Sequence, residues 1–190
     1  KGGKFALLLA FLPFVFGAYL RLFFLFQPNF IEVFFWTSIS YSVVRYLQTN
    51  RNGWLYISGV ATGLGLMSKY SVAFFVFCLL GGLMLSSHRR IFMNKHLYAA
   101  AAIALVIFLP NLLWQYNHNF PVIAHMNELK ETQLQYLDSS DFLQGQLMMQ
   151  LPVVFIWLAG LIYVLVSPQG SKYRFYGWTY LLLLLLYLVL

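Results

Sequence analysis

Three charged side chains interrupt long apolar segments of the sequence, where charged residues are unusual. They are Arg21, Glu32 and Lys69. A charge within a membrane span is costly and marks a functional candidate by default. Lys69 could bind a phosphate as a point charge, while Glu32 could pair with Arg21 or Lys69, bind a metal or contact a sugar hydroxyl or amine. The structural alternatives are an interface anchor for Lys69, snorkelling for Arg21 and helix capping for Glu32.

A second group of chemically capable residues lies between Leu109 and Glu128, in LPNLLWQYNHNFPVIAHMNE. Trp114, Tyr116, His118 and Phe120 are expected to gather where an apolar helix reaches the outer membrane surface. Aromatic faces with amide and imidazole groups suit a carbohydrate, because sugars present apolar C–H faces ringed by hydroxyls. The alternative is an aromatic belt, which places Trp and Tyr at membrane interfaces in any case.

The histidines of this stretch also raise the possibility of a metal site. His118, His125 and Glu128 are candidate ligands for zinc or a similar divalent ion. The two histidines are seven residues apart with Pro121 between them, which is not a standard ligand spacing. We therefore keep a divalent metal as a minor alternative.

The amino-acid composition indicates the kind of secondary structure that positions these residues. The chain is 61% hydrophobic and 9% charged, whereas a soluble domain has about a quarter of its residues charged. We predict an all-α integral membrane protein. The single cysteine, Cys78, falls in a predicted span and excludes a disulfide framework. No nucleotide-binding motif is present.

Apolar runs predict about seven transmembrane helices. The apolar region 54–87 is too long for one crossing of a ~30 Å core, and we divide it at Lys69. The segment 115–141 is the longest polar stretch, and we predict an extracytoplasmic loop there. The predicted spans are 5–26, 30–46, 54–67, 71–87, 97–114, 142–166 and 178–190.

Charge asymmetry supports this topology and orients it. Nine of the twelve basic residues fall on one predicted side, as the positive-inside rule requires of the cytoplasm. These nine are Lys1, Lys4, Arg45, Arg51, Arg89, Arg90, Lys95, Lys172 and Arg174. The net charge of +7 therefore indicates membrane topology and anionic lipid rather than nucleic acid. We expect a multi-pass protein of the bacterial inner (cytoplasmic) membrane.

Four motifs together resemble those of a known family. They are Phe26-Gln27-Pro28 through Phe35-Trp36, Gly63-Leu64-Gly65-Leu66-Met67-Ser68-Lys69-Tyr70, Leu109-Pro110-Asn111-Leu112-Leu113-Trp114-Gln115-Tyr116-Asn117-His118 and Asp141-Phe142-Leu143. Over most of its length the chain resembles bacterial membrane glycosyltransferases of the dolichyl-phosphate-mannose-protein mannosyltransferase type (glycosyltransferase 39/83, GT-C fold).

The resemblance implies an inverting transfer of a sugar from a polyprenyl-phosphate carrier to a lipid, glycan or protein acceptor on the extracytoplasmic face. The chain begins without Met and ends in an apolar run, so we expect an internal fragment. The family's catalytic Asp would then precede Lys1.

The resemblance also assigns supporting roles. It implies that Lys69 holds the carrier phosphate and that His118 lies near the phosphate or the sugar. Gln115 stands where the family often has Asn, and Glu32 where it often has Asp. The expected binding set is Lys69, Tyr70, His118, Arg21, Glu32, Trp114, Gln115 and Asn117.

A different class of protein stays open at this point. A transporter or flippase for lipid-linked sugars, or a non-catalytic membrane subunit, would also combine broken helices with a charge at the break. Transporters usually bury such charges near the midplane between paired repeats. Here the unusual residues cluster at one predicted face and no repeat is visible, which favours the enzyme.

Overall fold

A computed structural model describes residues 3–16, 28–132 and 138–189, and these residues form helices and no strand. The α-helices are α1 (Lys4–Phe16), α2 (Pro28–Thr49), α3 (Gly53–Ser68), α4 (Ser71–Met84), α5 (Lys95–Asn117), α6 (Pro121–Thr132), α7 (Ser139–Gln150), α8 (Val154–Val166) and α9 (Arg174–Val189). Short 3₁₀ helices cover Arg89–Met93, Leu151–Val153 and Gln169–Tyr173. The predicted all-α class is confirmed.

Local chemistry explains where the central helices stop. After α2, Asn50 adopts a left-handed backbone with φ 52°, a conformation that asparagine tolerates better than most residues. After α3, Lys69 is extended, with φ −157° and ψ 130°, and α4 begins two residues later at Ser71. The helix is therefore interrupted at Lys69, where the sequence suggests a division.

Small residues allow α3 and α5 to run side by side in the same direction. Gly59 and Gly63 of α3 face Ala100 and Ala104 of α5. A Cβ added to Gly59 would lie 2.4 Å from the Ala100 carbonyl oxygen, so only glycine permits this approach. Such small-xxx-small contacts are typical of helices packed in membranes. This parallel pairing brings the C-terminal ends of α3 and α5 together.

Helices α2, α4 and α9 complete the bundle. Helix α2 runs antiparallel to α3, since Phe35 contacts Gly65 near one end and Tyr41 contacts Trp54 toward the other. Helix α9 packs against α4, where Gly82 lies against the Phe175 backbone. The buried core runs through these helices, and the Phe175 side chain is fully buried within it.

Length and composition identify two segments of the described residues that could cross a membrane. They are Lys95–Asn117 and Ser139–Val166, and shorter apolar helices cover Lys4–Pro13 and Ser71–Met84. This finding agrees with a helical bundle in a membrane. The number of seven crossings stays a prediction.

Two stretches differ in detail from the predicted layout. The stretch 142–166 is divided by the 3₁₀ turn Leu151–Val153, which contains Pro152. Much of the predicted loop 115–141 is helical, since α5 continues to Asn117 and α6 follows. Helix α6 places Val122, Met126 and Leu129 on one face. Its polar residues, which led us to predict a loop, occupy the other face of an amphipathic helix.

Candidate functional site

Interhelical contacts define two opposite ends of the bundle. At one end, which we call the Lys69 end, the start of α2, the α3–α4 junction and the end of α5 meet. At the other, the basic end, His88 Nε2 lies 2.9 Å from the Lys172 carbonyl oxygen and Gln48 Nε2 lies 3.5 Å from the Tyr173 hydroxyl. The basic end carries Arg45, Arg51, Arg89, Arg90, Lys95, Lys172 and Arg174.

The centre of the Lys69 end is an ion pair between two predicted site residues. Lys69 Nζ lies 2.7 Å from Glu32 Oε2 and donates a second hydrogen bond of 2.8 Å to Asn29 Oδ1. Ser71 Oγ donates to the other carboxylate oxygen, Glu32 Oε1. Of the two basic partners considered for Glu32, the structure places Lys69 beside it, and Arg21 lies outside the described residues.

The two charges of this pair differ in their access to solvent and lipid. The Glu32 side chain is 11% exposed, whereas that of Lys69 is 41% exposed. An ammonium group has three N–H donors, and Glu32 and Asn29 take two of them. The remaining donor and the accessible positive charge could bind an anion. Both carboxylate oxygens already accept hydrogen bonds, so Glu32 orients Lys69 and balances its charge.

Tyr70 connects this pair to helix α5. Its hydroxyl donates to Asn111 Oδ1 at 2.7 Å and accepts from Gln115 Nε2 at 2.8 Å. Its ring also meets Phe108 edge to face, with centroids 5.9 Å apart. The side chain that follows Lys69 in sequence thus fixes the α3–α4 junction against α5.

Gln115 extends the same network to α6. This residue is only 8% exposed, and its Oε1 accepts a 3.3 Å hydrogen bond from the Val122 backbone N–H. Between α5 and α6, Asn119 and Phe120 both have positive φ, at 58° and 53°. A left-handed phenylalanine is uncommon, and a 2.7 Å bond from its N–H to the Gln115 carbonyl holds it there. Gln115 is therefore a positioning residue that turns the chain into α6.

His118 and Trp114 form an exposed aromatic pair at the end of α5. Their rings are stacked, with centroids 4.4 Å apart and planes inclined by 22°. His118 Nδ1 lies 2.8 Å from the Trp114 carbonyl oxygen. A carbonyl can only accept, so Nδ1 carries the hydrogen and Nε2 is the ring nitrogen left for a ligand.

The remaining predicted residues are placed less tightly. Asn117 is exposed at the last position of α5. His125 Nδ1 lies 3.9 Å from Glu128 Oε2, and both side chains are exposed on α6. Residues 3–16, 28–132 and 138–189 contain no cluster of three His, Cys, Asp or Glu side chains that could hold a metal. His118 thus does not join His125 and Glu128 in a three-ligand group.

Arg21 lies outside the described residues.

Sequence reasoning missed three residues of this network. Asn29, Ser71 and Asn111 hold Glu32, Lys69 or Tyr70 in place, yet we did not predict them as site residues. Asn29 belongs to a turn signal, Ser71 adjoins Lys69 and Asn111 lies in the Leu-Pro-Asn motif. A polar side chain beside a predicted site residue in an apolar setting is the signal that could have identified them.

Comparison with known proteins gives a match that covers these helices. Residues 2–114 match the family model described as dolichyl-phosphate-mannose-protein mannosyltransferase. The match includes α2, α3, α4 and nearly all of α5, and with them Glu32, Lys69, Tyr70 and Trp114. No curated protein and no solved structure matches the chain.

Proposed function

Because this chain belongs to the dolichyl-phosphate-mannose-protein mannosyltransferase family, a family of glycosyltransferases, we propose that it moves a sugar from a polyprenyl-phosphate carrier to a lipid, glycan or protein acceptor. In this proposal the Lys69 end is the donor-binding part of a GT-C site. The reaction breaks the bond between the sugar and the carrier phosphate and forms a glycosidic bond to the acceptor.

The observation that carries this proposal is the accessible ammonium of Lys69, held by Glu32 and Asn29. A preoriented cation stabilises charge that develops during a reaction, since it needs no reorganisation at that moment. As the sugar departs, the carrier phosphate gains negative charge. Lys69 would meet that charge with its third N–H donor, while its bonds to Glu32 and Asn29 fix its position.

In this proposal Glu32 is not the base that activates the acceptor. Its two oxygens accept hydrogen bonds from Lys69 and Ser71, and a general base must be within hydrogen-bond reach of the proton that it removes. We assign Glu32 to the support of Lys69. The base that activates the acceptor is not assigned to a residue of this chain.

His118 and Trp114 supply a second contact surface in this proposal. The free Nε2 of His118 can accept a hydrogen bond from a sugar hydroxyl, or donate one to phosphate when the ring is protonated. The exposed indole of Trp114 offers an apolar face to sugar C–H groups. Tyr70 and Gln115 connect this surface to the ion pair, so both contacts sit on one network of helices.

The charge distribution supports an extracytoplasmic active face. The basic end would face the cytoplasm by the positive-inside rule, which puts the Lys69 end on the extracytoplasmic side of the bacterial inner membrane. A polyprenyl phosphate keeps its chain in lipid and its phosphate at the interface, at the level proposed for Lys69.

A transfer assay tests the proposal. The protein in membranes is supplied with radiolabelled polyprenyl-phosphate mannose or a polyprenyl-phosphate pentose, and label in extracted glycolipid, glycan and protein is counted. The unsubstituted protein, expressed from the whole gene so that any segment preceding Lys1 is present, should transfer label. Lys69→Met should reduce transfer about 100-fold, whereas Lys130→Met, which removes an exposed lysine of α6, should leave it nearly unchanged. Normal transfer by Lys69→Met would remove Lys69 from the site.

A further inference from the structure

An apolar groove on the side of the bundle runs toward the basic end. It has a volume of about 390 Å³, within the usual range of roughly 300–1,000 Å³ for ligand pockets. Helices α3, α4 and α5 and the 3₁₀ helix Arg89–Met93 form its walls. Its lining near the basic end includes Leu55, Leu83, Ile91, Phe92, Leu97 and Tyr98.

Two arginines stand beside the end of this groove. A neighbouring recess of about 570 Å³ is lined by Met84, Arg89, Arg90, Phe92 and Met93. Phe92 lines both cavities, so the recess that holds the arginines adjoins the apolar groove. The residues Met84 and Met93 are 67% and 86% exposed. The arginines are therefore framed by apolar surface.

The positive charge at this position is not neutralised within the part of the chain that the structure describes. All five acidic residues belong to that part, and none of them forms an ion pair with Arg89 or Arg90. The short helix that carries the arginines is fixed: Ile91 is buried, and the Phe92 carbonyl accepts a 2.8 Å hydrogen bond from the Tyr98 hydroxyl. Two unpaired guanidinium groups thus sit on an anchored turn beside an apolar channel.

We propose that this groove and the adjacent arginines bind one anionic glycerophospholipid. Arg89 and Arg90 would contact its phosphate headgroup, because guanidinium groups match phosphate geometry with paired hydrogen bonds. One acyl chain would lie along Phe92, Leu97 and Tyr98 into the groove. Clusters of basic residues at the cytoplasmic surface attract anionic lipid, and the groove adds a defined place for the chain.

The headgroup position of this site is distinct from the proposed donor site, although the groove continues along the bundle to Leu66 and Phe108, beside Tyr70. The arginines lie at the basic end, whereas Lys69 lies at the opposite end of α3. The lipid site does not depend on the proposed sugar transfer, and a chain without transferase activity could still bind it. A bound lipid that occupies the groove would join α3, α4 and α5 and stabilise the folded state in proportion to its concentration.

Lipid titration of the full chain tests this inference. The protein is stripped of lipid in a neutral detergent, and phosphatidylglycerol or phosphatidylcholine with the same acyl chains is added. Native mass spectrometry counts bound lipids, and the melting temperature is followed in parallel. We expect one tightly bound phosphatidylglycerol, a higher melting temperature, and weaker binding of zwitterionic phosphatidylcholine by about tenfold.

Three variants separate a built site from general attraction. Arg89→Gln combined with Arg90→Gln should weaken phosphatidylglycerol binding about tenfold or more. The matched control, Arg51→Gln with Lys95→Gln, removes the same charge from exposed positions of the same end and should change binding much less. Ala101→Trp, at an exposed position that lines the groove, should also displace the lipid by filling the space of its chain.

Four results would overturn the proposal. Equal loss in both charge variants would mean diffuse attraction to the basic end. Equal affinity for the two lipids would mean that the arginines do not select the headgroup. Unchanged binding by Ala101→Trp would place the acyl chain elsewhere. Displacement of phosphatidylglycerol by polyprenyl phosphate, together with weaker phosphatidylglycerol binding by Lys69→Met, would assign the groove to the donor.

Discussion

The two ends of the bundle use charge in opposite ways. At the Lys69 end, one cation is held by a carboxylate and an amide, and uncharged side chains connect it to α5 and α6. At the basic end, the arginines and lysines have no carboxylate partner among the described residues. The basic end holds most of the positive charge, yet the Lys69 end has the more precise geometry.

The two ends illustrate two uses of charge in a membrane protein. Cations at a cytoplasmic surface set the topology, for which their number matters more than their exact position. A cation fixed by hydrogen bonds has lost its freedom to turn toward water, so its remaining donor points in one direction. Pairing, rather than the sum of charges, distinguishes the two ends.

We expect the largest effect from a substitution that disturbs the contact between α3 and α5 and therefore both ends of the bundle. Gly59→Val places new carbon atoms against the Ala100 backbone carbonyl and should separate α3 from α5. Overpacking of this kind costs about 1–3 kcal/mol or more, and we expect loss of folded protein in size-exclusion profiles. Gly160→Val is the control, since nothing lies within 4 Å of its Cβ position. Equal yields from the two variants would contradict the helix contact.

A smaller effect should be confined to the Lys69 end. Tyr70→Phe removes the hydroxyl that bonds Asn111 and Gln115 and leaves the buried Gln115 amide without this partner. An unsatisfied buried group costs about 1–3 kcal/mol, so the melting temperature and sugar transfer should both fall. Tyr116→Phe, at an exposed tyrosine, should change neither. If the Tyr70→Phe and Tyr116→Phe variants have the same melting temperature, the network does not hold the α3–α4 junction.

The two histidines of the Lys69 end should respond differently. His118→Ala removes a ring that is stacked on Trp114 and presents Nε2, and we expect about a tenfold loss of transfer. His125→Ala removes an exposed side chain of α6 and should have little effect. Equal losses in transfer assays, together with metal in the purified protein, would favour the metal interpretation.

The smallest effect concerns the start of α7. Asp138 caps this helix by accepting hydrogen bonds from the Ser140 and Asp141 N–H groups. Its bond from the Ser140 hydroxyl, followed by that from the Asp141 N–H, lowers the pKa of Asp138. The contribution of the ionised cap to stability is therefore present above the ordinary carboxyl pKa and is lost as the pH falls through the lowered value.

Hydrogen exchange measures this contribution. Asp138→Ala should speed exchange in the first turn of α7 at neutral pH, and the difference from the unsubstituted chain should shrink in strong acid. Ser139→Ala keeps the capping carboxylate and serves as the control. A difference that is independent of pH would show that the charge of Asp138 has no part in the cap.

Much of the Lys69 end could be predicted because its charged and polar residues stand out within an apolar sequence. Lys69 interrupts an apolar region, so both the break and the importance of the side chain are visible in the sequence. Its pairing with Glu32 could be offered only as one of several possibilities. Which faces of α2 and α3 meet depends on contacts such as Phe35 with Gly65, and these cannot be derived from the order of residues in one helix.

Two features of the stretch 115–141 cannot be derived from the sequence. The stretch 115–141 reads as a loop because averaging hydropathy along the chain cancels the two faces of α6. Gln115 belongs to the predicted binding set, and in the structure its side chain is buried and forms hydrogen bonds with Tyr70 and Val122. The amide group of a glutamine can form hydrogen bonds within the protein or with a ligand. The sequence is the same in both cases, so only the three-dimensional structure distinguishes them.

The central claim is that Lys69 binds the carrier phosphate and is more than a counter-ion for Glu32. Donor turnover and melting temperature of Lys69→Met, Glu32→Gln and the double variant test it most directly. Lys69→Met leaves the Glu32 carboxylate unpaired, which should lower both quantities. In the double variant we predict that the melting temperature recovers while turnover stays about 100-fold low. Recovery of turnover together with stability would contradict the claim and leave the pair a structural role only.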